Sequence, residues 1–236
     1  MLDISRRVAV VGALALLAAT LAGCGGNEPE ERRAFITFLQ TRIINKPGLH
    51  IPIMSSEDIK NFGPYADHYR VLNGFHHNVD ASVSRDLQKA MEIGQPRSIE
   101  ELANRRTLLP VLKSATNNML AELDKAKASA DTAHAALQQP PDLKAVYDVA
   151  YNRMVTTPAA VLHELAVMMQ AGIPPLEDLA NYLDENRSSI TYRGGMPMTN
   201  DPQVRAKLEA LMRAAAAVAD QSEDGKRKLR KLVEGN

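Results

Sequence analysis

From Leu102 to Leu137 the chain repeats a single pattern for five heptads. Leu102, Leu109, Leu112, Thr116, Met119, Leu123, Ala126, Ala130, Ala133 and Leu137 recur at steps of three and four, and Arg105 fills the one missing place. On an α-helix such residues share one face, whereas strand residues alternate sides with period two. A face this long must be covered by other helices. The second half of the seam is rich in alanine, so a partner helix can approach closely. Pro110 lies inside the pattern and is expected to kink or divide the helix. Gln138-Gln139-Pro140-Pro141 ends it.

The remaining sequence supports an all-α fold. Trp is absent and aromatic residues make up only 4% of 236, so the core must draw largely on Leu, Val, Met and Ala. Leu, Met and Ala are strong helix formers. Asn27 and Glu30 have capping-box spacing ahead of Phe35, Phe38, Leu39 and Ile43, and Pro47-Gly48 closes that helix. Leu49 to Met54 is a short extended piece. A turn opens at Ser55 and breaks at Gly63-Pro64. A longer helix then reaches Ile93, with His68, Leu72, Phe75, Val79, Val83, Leu87 and Met91 on one side. Ser98 and Glu101 repeat the capping-box pattern. Later helices are expected after Asp142, from Thr157-Pro158 to Gly172, from Pro174-Pro175, and from Asp201-Pro202, the last weakening between Gln221 and Gly225. Val146, Val149 and Met154 are expected to point inward. Segment 188–201 is expected to be irregular. Long helices with Pro/Gly breaks make an elongated bundle or hairpin with heptad-like seams.

The first 24 residues form a separate unit. Arg6 and Arg7 precede a 14-residue apolar run, Val8 to Leu21, and small residues lead to Cys24, the sole cysteine. This is the three-part pattern of an export signal, and a membrane-spanning helix needs about 20 apolar residues. Leu21-Ala22-Gly23-Cys24 resembles the lipobox of bacterial lipoproteins. That resemblance implies a thioether-linked lipid on Cys24, cleavage before it, and acylation of the new amine. Two or more acyl chains anchor a protein stably where one does so only marginally. Gly25, where Asp resembles an inner-membrane retention signal, favours the outer membrane.

A second resemblance covers roughly residues 21 to 80. Arg33-Ala34-Phe35-Ile36-Thr37-Phe38-Leu39-Gln40-Thr41-Arg42-Ile43, the Lys46-Pro47-Gly48 turn, and Phe62-Gly63-Pro64-Tyr65-Ala66-Asp67-His68-Tyr69 are similar to the YiaF-like group of proteobacterial lipoproteins. It implies a lipoprotein of unknown function and carries over no catalytic or binding residue.

The chemical candidates are weak beside their structural readings. His76, His77 and Asp80 have ligand spacing on one helix. His68 lies about 12 Å away along it, too far to share an ion, so no metal site is expected. His163-Glu164 lacks the second histidine of a zinc-protease helix, since Val167 stands there. Gly194-Gly195 could cradle an anion through backbone N–H groups, but a connecting loop is the simpler reading. No catalytic and no cofactor-binding residue is expected. The 28 basic and 28 acidic residues balance, which excludes a strongly basic nucleic-acid binder.

Taken together, residues 1–23 are expected to be a cleaved signal peptide and 24–29 a lipidated tether. Residues 30–236 are then a single helical periplasmic domain in the cell envelope. The mature chain would hold 213 residues, 26 basic and 27 acidic, because the signal contains Asp3, Arg6 and Arg7. The expected function is a non-catalytic interaction or scaffold module that binds a protein partner or a second copy through helical faces. The alternative is an enzyme or carrier for an envelope component, with a pocket between helices near Met168-Met169 and Gly194-Gly195. Lys226, Arg227, Lys228, Arg230 and Lys231 form a basic tail that could rest on anionic lipid. Six long helices would return that tail to the side where the chain begins.

Overall fold

A computed structural model describes residues 27–93 and 96–235. Eight α-helices and one small hairpin account for most of them. In order these are α1 (Glu28–Leu39), α2 (Ser56–Phe62), α3 (Tyr65–Ile93), α4 (Ile99–Asn104), α5 (Leu109–Ala135), α6 (Pro141–Tyr151), α7 (Thr157–Glu185), β1 (Thr191–Arg193), β2 (Met196–Met198) and α8 (Pro202–Glu234). The lipobox residues Leu21, Ala22, Gly23 and Cys24 lie outside the described residues.

Antiparallel neighbours build the body. α5 lies between α3 and α7, and α8 packs along α7. The long seam is its axis: Leu102, Leu109, Leu112, Thr116, Met119, Leu123, Ala126 and Ala130 are all buried. Thr116 fits among them because its hydroxyl donates to the Leu112 and Lys113 carbonyls at 3.1 and 2.9 Å, leaving no bare polar atom. Pro110 divides this stretch. α4 stops at Asn104, a 3₁₀ turn spans Arg106–Leu108, and Pro110 enters α5 in its first turn, where a missing N–H costs nothing.

Two buried clusters follow one another along α5 and α7. One gathers Phe35, Phe38, Phe62, Tyr65, Tyr69, Phe75, Tyr147 and Tyr151 with Met119, Leu123 and Met154. The other is aliphatic and is built around Leu102, Leu109, Leu112, Ile173, Leu179 and Leu183. Met169 packs against both.

Several local expectations are corrected. Asn27 makes no side-chain cap and lies outside the extended region that capping needs. Ser98 does cap Glu101, but the Glu101 carboxylate accepts from the Arg97 N–H instead of closing a capping box. Asp142 pairs with Arg32 at 3.4 Å rather than capping α6. Val149 is 51% exposed, because Leu143, Tyr147, Ala150 and Met154 form the buried face. Segment 188–201 contains the hairpin, with Tyr192 opposite Pro197 and positive φ at Gly194 and Gly195, as a tight two-residue turn requires. α8 does not weaken at Gly225; that glycine takes the Leu165 methyl against its backbone, where a Cβ would come within 2.9 Å.

The largest correction concerns residues 141–185. No break occurs at Thr157, Gly172 or Pro174. α6 passes through a π-turn, Asn152–Thr156, straight into α7. Gly172 is buried against Val218, where a Cβ would lie 2.7 Å from a methyl. This glycine serves close helix packing and not helix termination.

Candidate functional site

The π-turn explains how Pro158 sits inside a helix. Proline has no N–H, so in a regular helix it would orphan the carbonyl four residues back, here Met154. A π-turn widens the helix at that point, and His76 of α3 approaches the Met154 carbonyl from outside. Burial holds the His76 imidazole below its ordinary pKa, and this carbonyl contact partly opposes the shift. The His76 Nε2 is buried without a partner among the described residues.

The next side chain on the π-turn reaches outward. Arg153 donates through Nη2 to the Lys46 carbonyl and, at 3.2 Å, to the Gly48 carbonyl. It thereby ties the chain after α1 to the middle of the long helix. Its Nε is buried and unpartnered among the described residues. The end of α8 meets the same segment. The Leu49 N–H donates to the Leu232 carbonyl at 2.9 Å. Gly48, at φ +64, lets the backbones touch, since a Cβ would collide with the Val233 carbonyl. Gly235, left-handed at φ +79, closes α8 by donating to the Lys231 carbonyl.

Between these three pieces runs an open groove of about 920 Å³. Ile44, Leu49, Val149, Val161 and Leu232 give it apolar walls. Its charged rim is largely satisfied internally. Lys228 pairs with Glu164 and with Asp224 at 3.4 Å. Asp148 accepts from Lys144 at 2.8 Å and contacts His134 at 2.9 Å. Burial would raise Asp148, but these hydrogen bonds outweigh it and hold the carboxyl below its usual range. Lys231 also lines the groove, and no ion pair is found for it among the described residues.

A polar–aromatic network continues from the groove into the aromatic core. His134 stacks on Tyr151 with ring centres 4.0 Å apart, and the Tyr151 hydroxyl donates to Asp131 at 2.7 Å. Burial pushes the Tyr151 phenol up, and the Asp131 carboxylate adds to this. The Tyr147 hydroxyl donates to the His68 carbonyl at 2.8 Å, and Gln139 meets His68 Nδ1 at 3.0 Å. The Tyr65 hydroxyl donates to Glu28; its pKa is pushed up to about 12, first by burial and then by this partner. His134 and Asp148 resemble a base with its orienting carboxylate. That chemistry also needs a nucleophile on the other ring nitrogen, and no hydroxyl bonds to it among the described residues. The network satisfies the hydroxyls of the buried Tyr147 and Tyr151.

The other sequence candidates are scattered. His68 belongs to the aromatic core, His77 is exposed, and His163 lies 3.9 Å from Asp124. Among the described residues, no group of three His, Cys, Asp or Glu could hold a metal ion. Met168 packs near Gly225, while Gly195 rests on Ser98 at the hairpin. The basic tail does not return beside residue 27. It meets residues 47–49 beyond the far end of α1, about 25 Å away along that helix. Sequence reasoning missed the groove and Arg153. The available signal was Pro158 between two apolar helical stretches, Leu143–Met154 and Ala159–Met169, a position that a π-turn accommodates.

No described helix is long and apolar enough to cross a membrane. No solved structure matches the chain. Proteins named "Uncharacterized protein YiaF" from Escherichia coli K12, Escherichia coli O6:H1 and Shigella flexneri are each 30% identical to it over 189 residues. The match spans 80% of this chain and 79% of theirs. With the family described as "Protein of unknown function (DUF3053)" matching residues 12–230, this chain belongs to that family.

Proposed function

We propose that the protein is a lipid-anchored component of the bacterial cell envelope, tethered through Cys24 to the outer membrane with its helical body in the periplasm. It would serve as a non-catalytic interaction or scaffold module. The observation that carries this reading is the export-type signal ending in Leu21-Ala22-Gly23-Cys24, four residues before α1 of a helical body begins at Glu28. Gly25 to Asn27 reach only about 10–14 Å when extended, so the body would ride close to the headgroups. The open groove and the exposed Val111 and Val167 on α5 and α7 supply apolar surface for a protein partner or a second copy. The groove at the π-turn favours a second reading, a carrier that holds an apolar envelope component.

Metabolic labelling with a fatty acid tests the anchoring. Cys24→Ala should abolish the label and leave an unprocessed precursor, because no other cysteine exists to form the thioether. Label that persists in Cys24→Ala overturns the assignment. Cross-linking from Val111 or Val167 within intact envelopes tests the module. Capture of a defined protein or a second copy supports it, and capture of lipid alone at the groove favours the carrier.

A further inference from the structure

The short stretch between α1 and α2 leaves apolar side chains in solvent although its backbone is pinned. Ile53 is 90% exposed and Ile51 39%. Between and after them, Pro52 is buried and Met54 packs against the aromatic core. In an extended chain alternate residues face opposite sides, so Ile51 and Ile53 share the outward side. Three bonds fix the segment in place. The Leu49 N–H donates to Leu232, the buried Tyr69 hydroxyl donates to the Pro52 carbonyl, and Ser55 caps α2. Ile53 is therefore held out by the fold.

The end of α8 lies against this stretch and adds exposed Leu229 and Val233, 36% and 54% accessible. Exposed Arg230 and Lys231 stand beside them. Residues 41–60 and 223–235 together hold eight Lys and Arg against five Asp and Glu, plus His50, in a chain that is neutral as a whole. Pairing here spends both signs: Glu223 and Asp224 hold Lys226 and Arg227, Lys228 reaches Glu164, and Asp58 serves the α2 cap, while Arg230 and Lys231 stay exposed. Exposed aliphatic residues among surplus cations match the chemistry of an anionic bilayer surface, where the aliphatics enter the headgroup boundary and the cations meet the phosphates.

We infer that Ile51, Ile53 and the end of α8 form a second, reversible membrane contact that takes an anionic lipid surface. The inference rests on the proposed anchoring only to bring the domain to the bilayer. The Cys24 tether enters at the start of α1, and this contact lies beyond its other end. Both touch one plane when α1 lies along the membrane, which sets the orientation of the groove.

The absence of Trp from the sequence makes the test direct. Ile53→Trp is introduced into the full chain, with Met198→Trp, exposed on β2 of the hairpin, as the control. Each is reconstituted on vesicles of phosphatidylglycerol with phosphatidylcholine, or of phosphatidylcholine alone, at low and high salt. On anionic vesicles at low salt, emission from Ile53→Trp should shift to the blue and be quenched by brominated acyl chains. High salt should reverse both changes, because the attraction fades within a Debye length of about 8 Å at physiological salt. Met198→Trp should keep solvent-like emission. Solvent-like emission from Ile53→Trp on anionic vesicles overturns the inference, and so does a blue shift that grows with protein concentration without vesicles, which assigns the edge to a second copy. The lipid label on Cys24 is read in the same samples. A labelled chain without the shift defeats this contact alone, and an unlabelled chain with the shift defeats the anchoring alone.

Discussion

The two buried clusters solve the same packing problem with different materials. All four phenylalanines and four of the six tyrosines are in the cluster around α1, α2, α3 and α6. The cluster around α4, the C-terminal half of α7 and the start of α8 buries only Leu, Ile and Ala. The difference follows from geometry. Where several short elements meet at varied angles, gaps are irregular, and large rings with tilted and edge contacts fill them. Phe35 alone meets Phe62, Tyr65, His68 and Tyr147. Where long helices run side by side, the spacing is regular and close, and aliphatic seams suffice. The aromatic cluster also buries polar groups and must satisfy them, and its tyrosine hydroxyls do this.

A buried charge tests both halves hardest. Leu123→Asp strikes the aromatic cluster and Leu112→Asp the aliphatic one, and each should cost several kcal/mol. Hydrogen exchange should show protection lost first in the half that carries the substitution; if both variants melt like the parent, the seam is not the axis of the fold. Truncation should sharpen the contrast. Phe35→Ala should cost about 3–5 kcal/mol and Leu179→Ala about 2–5 kcal/mol, with the larger value where the site cannot collapse. Denaturant titration of the two variants measures it, and equal small losses would mean that the rings are not packed as described.

Acid should produce the smallest effect and should act on the aromatic half. His68 and His76 both have lowered pKa values, chiefly through burial; Asp67 partly opposes the shift at His68. Their folded-state pKa lies below the unfolded one, so the unfolded chain binds more protons and stability falls as pH drops through about 6.5. His76→Leu should reduce the loss of melting temperature between about pH 8 and pH 5. An undiminished loss would place the proton uptake elsewhere.

The two halves were not equally legible in the sequence. The aliphatic seam could be read residue by residue, because period alone identifies a face that packs along neighbouring helices. Tyr65, Ala66, Tyr69, Tyr147 and Tyr151 were missed although Tyr65, Tyr69 and Leu72, and Leu143, Tyr147, Ala150 and Met154, step by four and three, because a tyrosine carries a polar hydroxyl and does not by itself mark a core face. Proline misled most. Pro110 marks a boundary, while Pro158 follows a π-turn whose Met154 carbonyl meets His76, and Pro174 and Pro175 lie inside the same continuous helix. The groove was invisible for a related reason. Its parts come from residues 44–49, 148–164 and 228–235, and only tertiary packing brings them together.

The π-turn at Asn152–Thr156 also sets the phase of the helix that contains it. Before it, Leu143 and Ala150 are seven residues apart and face α1. After it, Ala159, Ala166, Ile173 and Ala180 keep the same interval and face α5 and α8. The gap from Ala150 to Ala159 is nine, so the repeat is reset at the bulge and one rigid rod presents two differently aimed faces. Each residue of an α-helix turns it by about 100°. A π-turn holds one residue more than an α-turn, so deleting a single residue from 152–156 would restore regular helix and keep the downstream face in phase, while removing the widened turn that accommodates Pro158 and aims Arg153 at the Lys46 and Gly48 carbonyls.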